Sequence, residues 1–318
     1  MANRVSFLPG LHWSGTPDVP VVCRCSELNS KLCEDMRKAH GLIVSTGREA
    51  ISIVLASLRL RRDDEVWIVT TFDLPNVSSC VTSTVFNTCK PSRVLSERTR
   101  AILVIHEFGV AHPDTPLLAD LARRRSIPLI EDCAHTRDSR NAGWKVGTLG
   151  DYVILSFPKI FPAQCGGALL SDEPLPSGDC TNHVKARQAI SIVLDCWRER
   201  DEYSRNRRDV FRRLSAGFRQ LGYSTLFEVT DEVTPWFFPA ATRDCQALLD
   251  RAQKNNVDCS LWHGSEIVVF PCHQFLTGED IDRIIGVGAE AQLESRYRSV
   301  DEHEQQTSHS VPGSRVTT

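Results

Sequence analysis

The stretch SFPKIFPAQCGG, residues 156–167, lies between two apolar runs and carries a single lysine, Lys159. The run before it (YVIL, 152–155) and the run after it (ALL, 168–170) are predicted to be buried strands. Pro158 has no N–H group and restricts its own φ, so a stiff loop is predicted between the strands. Lys159 is then either a solvated surface lysine or a desolvated amine suited to nucleophilic or Schiff-base chemistry.

Upstream of this loop, short apolar runs alternate with helical patterns. Strands are predicted at 42–44, 66–69, 101–105 and 127–130, and helices at 50–58, 77–86 and 117–125. Strands that are apolar almost throughout are typical of a parallel sheet covered on both faces. We therefore predict an α/β fold, with a mostly parallel sheet and helices on both of its faces.

Polar residues follow several of the predicted strands. Because ligands bind beyond the carboxyl ends of parallel strands, these residues are expected to converge at one edge of the sheet. They are Thr71, His106, Asp132, His135, Ser156 and Lys159. A carboxylate, an imidazole and an amine at one edge are typical of a site with perturbed pKa values.

The sequence STGRE, residues 45–49, joins the first strand to its helix. A strand, a turn of small residues and a helix N-terminus together form an arrangement that binds anions. Free backbone N–H groups and the helix dipole point to the same place there. The alternative is an ordinary capped helix, since Ser and Thr are favoured N-cap residues.

The pattern changes after residue 172. A linker is predicted at 172–179, followed by two Arg-rich helical patterns over 183–221 that are expected to form a solvated, salt-bridged face. A strand at 236–240 and helices at 245–255 and 277–285 complete a small α+β unit. We predict a large domain at 1–175, whose residues 1–40 are irregular except for a helix at 26–39. A C-terminal domain at 176–299 and a disordered tail at 300–318 follow.

The composition is that of a soluble globular protein: 41% of the 318 residues are hydrophobic and 24% are charged. The net charge of -3 gives no reason to expect nucleic acid or an anionic membrane as a partner. No apolar run approaches the roughly 18 residues needed to span a bilayer. The N-terminus lacks the apolar core of a signal peptide, so a cytoplasmic location is expected.

The 12 cysteines are scattered along the chain. Several, such as Cys80 and Cys133, lie within apolar patterns and are expected to be reduced core residues. Cys23, Cys25 and Cys33 match no common zinc-binding spacing, so no metal site is predicted.

The order of several motifs along residues 42–172 resembles that of the DegT/StrS family. These are fold-type I enzymes that depend on pyridoxal 5′-phosphate (PLP), mostly sugar aminotransferases. EDCAH (131–135) and the Gly-rich approach to SFPK (156–159) are the most specific motifs. A weaker resemblance resumes at 270–273 and 276–284. The motifs are STGREAI (45–51), DEVWIVTTF (64–72), ILVIHEFG (102–109), IPLIEDCAHT (127–136), KVGTLGDYVILSFPK (145–159) and CGGALLSDE (165–173).

The resemblance implies roles for residues in the matching motifs. Lys159 would form the Schiff base with PLP, and Asp132 would pair with the protonated pyridine nitrogen. That pairing keeps the ring cationic, so that it acts as an electron sink. His135 would lie near the phenolic oxygen of the cofactor, and Ser156 would donate its hydroxyl to the cofactor phosphate.

The resemblance also assigns the phosphate and ring contacts. Gly47 and Arg48 would offer backbone N–H groups to the phosphate at the start of the helix. Phe72 is the candidate for stacking on the ring. Because this region is a few residues longer than the usual family pattern, Thr71 and Asp73 are the alternatives.

The function implied is ping-pong transamination. Glutamate or glutamine would donate an amino group to a nucleotide-linked keto-deoxysugar, in amino-sugar or surface polysaccharide biosynthesis, with Lys159 as general base and acid in a homodimer. The usual Asn/Tyr/Arg-containing substrate segment of the family is not evident between residues 180 and 225. This motivates the alternative of a non-catalytic PLP-fold regulatory or partner protein. A PLP lyase or dehydratase is a third possibility, although the dehydratases of the family lack the lysine.

Overall fold

The computed structural model describes residues 4–9, 21–175, 184–262 and 264–308. The helices are α1 (Val21–Met36), α2 (Gly47–Ser57), α3 (Ser79–Thr88), α4 (Thr115–Arg125), α5 (Val184–Asp195), α6 (Arg200–Gln220), α7 (Cys245–Lys254) and α8 (Gly278–Ser308). The strands are β1 (His40–Val44), β2 (Glu65–Thr70), β3 (Lys90–Ser92), β4 (Thr99–Ile105), β5 (Leu129–Asp132), β6 (Arg140–Asn141), β7 (Trp144–Lys145), β8 (Tyr152–Ser156), β9 (Gly167–Ser171), β10 (Ser224–Thr225), β11 (Phe237–Ala241), β12 (Ser260–Leu261) and β13 (Ile267–Pro271).

The larger sheet has seven strands in the order β1-β9-β8-β5-β4-β2-β3. Neighbours from β8 to β3 pair in parallel, whereas β9 pairs antiparallel with both β8 and β1. The predicted mostly parallel sheet is therefore confirmed. The loop that carries Lys159 joins the antiparallel pair β8 and β9, in which Ser156 lies opposite Gly167.

Helices cover both faces of this sheet, as predicted. Alternate side chains of β4 enter different cores: Ala101 and Leu103 pack with α2 and α3, while Ile102 and Val104 pack with α4. Successive side chains of a strand point to opposite faces, so a strand with apolar residues at every position requires a cover on each side. This explains why the strand sequences are continuously apolar rather than alternating.

The second sheet has four antiparallel strands in the order β10-β11-β13-β12. Its core contains Phe218 of α6, Phe238 of β11 and Phe270 of β13, whose rings pack with centroids 4.9–5.4 Å apart. Contacts between neighbouring aromatic rings add to the stabilisation that comes from burying their area. The division of the chain at residues 175 and 299 stays a prediction.

Two ends of the chain differ from expectation. Helix α1 begins at Val21 rather than at residue 26 and ends at Met36. Helix α8 continues to Ser308, so the prediction of disorder from residue 300 is wrong up to that residue. The sequence contains no Gly or Pro between Gly288 and Pro312, so no helix-breaking residue interrupts α8 before Ser308. The rest of the predicted tail, and residues 176–179 of the predicted linker at 172–179, lie outside the described residues. Within the described chain, no helix is both long and apolar enough to cross a membrane.

One buried carboxylate connects three segments at the centre of the larger sheet. Glu131, fully buried in β5, accepts hydrogen bonds from His106 Nε2 (3.0 Å) and from the backbone N–H groups of Gly147 (2.8 Å), Leu149 (2.8 Å) and Gly150 (2.6 Å). Burial alone would raise the pKa of Glu131, but these donors hold it below its usual value. The carboxylate therefore fixes the end of β4 and the turn before β8 relative to β5.

We predict that Glu131→Gln lowers the free energy of unfolding by roughly 3–5 kcal/mol, the range for breaking a buried, fully bonded charge. An amide has one acceptor oxygen, whereas each carboxylate oxygen here accepts from two donors. Urea denaturation at neutral pH would measure the change. Glu97→Gln, at an exposed position, is the matched control and should leave stability within about 0.5 kcal/mol. Equal stability of the two variants would contradict this role of Glu131.

Candidate active site

A cavity of about 250 Å³ opens at the carboxyl edge of the larger sheet. Segments from α2, α3, β4, β5, β8 and the loop after β8 contribute to its wall. The structure brings six of the predicted site residues together here: Gly47, Arg48, Asp132, His135, Ser156 and Lys159.

The start of α2 forms one wall of this cavity. Thr46 is the N-cap, and its hydroxyl accepts from Glu49 N (3.2 Å). The N–H groups of Gly47 and Arg48 lie in the first turn, where an α-helix offers no carbonyl partner. Gly167 of β9 lies close to this turn, since a Cβ there would be 3.3 Å from Gly47 N and would also collide with the carbonyl oxygen of Leu155 in β8. The helix start therefore offers free donors to an anion.

Asp132 ends β5 and is 5% exposed. Its carboxylate accepts a hydrogen bond from Ala134 N (2.9 Å) and forms no salt bridge within the described chain. Burial raises the pKa of Asp132, while Lys159 and the Ala134 N–H oppose that rise. A buried carboxylate without a paired cation is costly, so the site favours a cationic group beside Asp132.

Lys159 is half-buried, and its amine makes no hydrogen bond or salt bridge to a described residue. Burial lowers the pKa of Lys159, with Asp132 and Cys80 acting in the opposite direction. The backbone at this position is held firmly, since Arg207 donates to the carbonyl oxygen of Lys159 (2.6 Å). Arg207 is 2% exposed, so this part of the Arg-rich helix α6 is a buried support and not the solvated face predicted from sequence.

His135 is a neutral imidazole with a defined tautomer. Burial, together with the charges of Lys159 and His106, holds the pKa of His135 well below its ordinary value. Its Nδ1 accepts a hydrogen bond from Phe108 N (3.1 Å), so the ring proton is on Nε2. His135 therefore presents a neutral N–H donor that can bind an oxygen atom of a ligand.

Phe72 and its two neighbours are not among the residues that line the cavity. Phe72 packs against Phe108 and Phe227, with centroids 5.8 and 5.7 Å away. The hydroxyl of Thr71 bonds backbone groups of the adjacent loop, and Asp73 is exposed and pairs with Arg93. Residues a few positions later, including Val77, Ser78 and Cys80, line the cavity instead.

Two further expectations are corrected. His106 does not line the cavity, because its ring is buried behind β5 and bonds Glu131.

Cys80 is not a core residue, since it is exposed at the start of α3 and faces the cavity. Cys133 is fully buried, and Cys25 and Cys33 pack partly buried against the same core.

Sequence reasoning missed Glu107, Trp236 and Trp262. Glu107 and Trp262 line the cavity, and the Trp236 ring lies against Lys159 and His135. Glu107 directly follows His106 at a strand end, which is the signal that could have identified it. The tryptophans come from the second sheet and its connections, more than 70 residues beyond Lys159, so no local pattern marked them.

The chain is similar to known aminotransferases in sequence. The model of the DegT/DnrJ/EryC1/StrS aminotransferase family matches residues 23–182. The chain is 30% identical to the L-glutamine:scyllo-inosose aminotransferase of Streptomyces griseus, over 41% of this chain and 34% of the relative. It is 28% identical to the GDP-perosamine synthase of Vibrio cholerae, over 48% of this chain and 45% of that protein.

These matched regions span less than half of the length of either relative. Among solved structures, a Streptococcus pneumoniae protein in its PLP form superposes with a TM-score of 0.73 at 15% identity. The superposition covers 92% of this chain and 99% of that one. The likeness shows that the two proteins share a fold.

The buried acid Glu107 yields a prediction about pH. Burial raises the pKa of Glu107 to about 7, although Phe72 N donates to its carboxylate (3.1 Å). The folded state therefore binds this proton more tightly than the unfolded chain does. The resulting stabilisation is complete below about pH 4 and is lost as pH rises through 7, at most about 3 kcal/mol.

Glu107→Gln removes this ionisation and keeps an acceptor for Phe72 N. Relative to wild type, the variant should gain up to about 3 kcal/mol of unfolding free energy between pH 5 and pH 8. Urea denaturation at the two pH values measures the difference. Glu97→Gln, at an exposed site, should show little change with pH. A Glu107→Gln difference that is the same at both pH values would show that Glu107 does not titrate in this range.

Proposed function

Since the chain belongs to the DegT/DnrJ/EryC1/StrS aminotransferase family, we propose that it is a PLP-dependent aminotransferase. The amino group would come from glutamate or glutamine and go to a nucleotide-linked keto-deoxysugar, in amino-sugar or surface polysaccharide biosynthesis. The observation that carries the proposal is the presence of Lys159, Asp132 and the free start of α2 in one cavity.

The residues of the cavity fit the cofactor. Asp132 is a buried carboxylate without a salt bridge in the described chain, which suits a protonated pyridine nitrogen. The amine of Lys159 is likewise free to attach to an aldehyde carbon. The neutral His135 would donate from Nε2 to the phenolic oxygen.

The phosphate group would lie at the start of α2. Gly47 and Arg48 are the first two residues of α2, and the helix dipole favours negative charge at this end. Ser156 lies beside this turn, since a Cβ at Gly47 would be 3.8 Å from that of Ser156. Its hydroxyl would add a further donor to the phosphate.

When bound, the cofactor supplies an electron sink for the bonds of the donor's α-carbon. Lys159 Nζ would act as general base in removing the α-proton of the donor, and then as general acid in delivering that proton to the C4′ carbon of the cofactor. Burial lowers the pKa of this amine, which enlarges its neutral fraction near neutral pH. Asp132 would pair with the ring nitrogen and favour its protonated form.

The names of the relatives support the substrate class. One is named a GDP-perosamine synthase, which supports a nucleotide-linked sugar, and another is named an L-glutamine:scyllo-inosose aminotransferase, which supports glutamine as the amino donor. We propose that the partners of this chain are an amino-acid donor and a nucleotide sugar, and that the protein is a homodimer.

One observation favours the alternative of a non-catalytic regulatory or partner protein. Among the described residues that line the cavity, Arg48 and Lys159 are the only cations. Lys159 would be taken up by the aldehyde, and the side chain of Arg48 is exposed, so this wall offers no buried cation to the carboxylate of an amino donor. A partner subunit would have to supply one for catalysis.

A spectral titration distinguishes the two functions. The purified protein should bind added PLP with a visible absorption band, and glutamate or glutamine should convert that band to the spectrum of the amine form. Lys159→Ala should abolish the band. Asp132→Asn should slow the conversion by about 100-fold or more, since it removes the charge that keeps the ring cationic.

Lys254→Ala is the matched control for the lysine, because Lys254 is exposed at the end of α7. It should leave both the band and the conversion unchanged. A protein that binds no PLP would refute cofactor binding. A band that no amino donor converts would instead support the non-catalytic protein.

A further inference from the structure

The indole of Trp236 contacts two of the proposed active-site residues at once. Lys159 Nζ lies 4.3 Å from the centre of the indole ring, within the range of a cation–π interaction. The imidazole of His135 lies with its centroid 4.0 Å from the indole, at an interplanar angle of 35°. Phe237 stacks on the indole as well, with centroids 3.6 Å apart.

The backbone holds Trp236 in this place. Trp236 N donates to the carbonyl oxygen of Phe108 (2.9 Å), and Phe108 N donates to His135 Nδ1 (3.1 Å). The two residues before Trp236 lie against Gly109, whose φ of +91° favours glycine. A side chain at Gly109 would collide with the carbonyl oxygen of Thr234. One backbone unit therefore sets both the tryptophan and the tautomer of the histidine.

The polar atom of the indole does not determine the position of the ring. Trp236 Nε1 is buried and has no hydrogen-bond partner among the described residues. A buried tryptophan usually places its N–H against an acceptor, and leaving it unpaired is unfavourable. The contacts that fix this ring are therefore those of its faces, with Lys159, His135 and Phe237.

We propose that Trp236 is a positioning residue of this site, whose indole face holds the charged amine of Lys159 next to the neutral imidazole of His135. The interaction favours the ammonium form, because the face of an aromatic ring is negative. Trp236 immediately precedes β11 of the second sheet. It would thus connect the ionisation of the lysine to the packing of the C-terminal half of the chain.

Other groups also act on the charge of Lys159. Asp132 on β5 and Cys80 on α3 favour the charged form, whereas burial opposes it. His135 is neutral and adds no charge. Arg207 of α6 bonds Lys159 at its backbone oxygen and not at its amine. The contribution of Trp236 can be separated from these, because a substitution at 236 leaves all of them in place.

The test measures the pKa of Lys159 in the protein without PLP. Reductive ¹³C-methylation gives one resonance for each of the seven lysines, and Lys159→Arg identifies the relevant one. We expect Trp236→Leu, which removes the ring but excludes water, to lower the pKa of Lys159 by about one unit. Trp236→Phe restores an aromatic face and should return the pKa to near the wild-type value.

A second measurement needs only a variant that keeps the aromatic packing. The difference in fluorescence between wild type and Trp236→Phe isolates one of the six tryptophans. This difference should titrate with the pKa of Lys159, and the titration should vanish in Lys159→Met. An unchanged Lys159 pKa in a folded Trp236→Leu variant, or a difference signal that does not titrate, would overturn the proposal. Although the inference concerns the lysine of the proposed function, both measurements use cofactor-free protein. Failure to bind PLP would therefore not alter either result.

Discussion

Glu131 and Asp132 are consecutive carboxylates on one buried strand. The candidate site depends on both, because Glu131 bonds the surrounding backbone and Asp132 faces the cavity. Successive side chains of a strand point to opposite faces, so the two carboxylates occupy different environments. Glu131 accepts four hydrogen bonds and fixes the strand end and turn behind it. Asp132 has one hydrogen bond from a described residue and faces the cavity. Glu131 therefore holds the segments around β5 in place, whereas the carboxylate of Asp132 remains available to a ligand.

Asp132 and Lys159 have no salt-bridge partner in the described chain, which is unfavourable for folding but leaves both groups available to a ligand. A folded domain is stable by only about 5–15 kcal/mol, so buried ionisable groups without partners persist only where the surrounding structure is firmly bonded. Here the support comes from Glu131 on one side and from Arg207, which bonds the backbone of Lys159, on the other. Trp236 adds an aromatic face to the same amine. The site is thus built by both sheets, although its polar groups come from the larger one.

The sequence predicted the features that depend on local pattern. Continuous apolar runs predicted a sheet covered on both faces, and the polar residues at the strand ends predicted where Asp132, His135 and Lys159 would meet. It failed where geometry depends on distant contacts. His106 is at a strand end like the others, but its ring turns to a carboxylate on the next strand. Phe72 joins an aromatic cluster with Phe108 and Phe227, and Phe227 lies 155 residues further along the chain.

The proposed function requires that Lys159, and no other lysine, is the attachment point for PLP. The most direct measurement is borohydride reduction of the protein incubated with PLP, followed by peptide mass spectrometry. Reduction makes the lysine–cofactor linkage permanent, so the modified residue can be read from the peptide. We expect a single phosphopyridoxyl group on the peptide that contains Lys159. Label on exposed lysines such as Lys90 or Lys254 without Lys159, or no label at all, would contradict it.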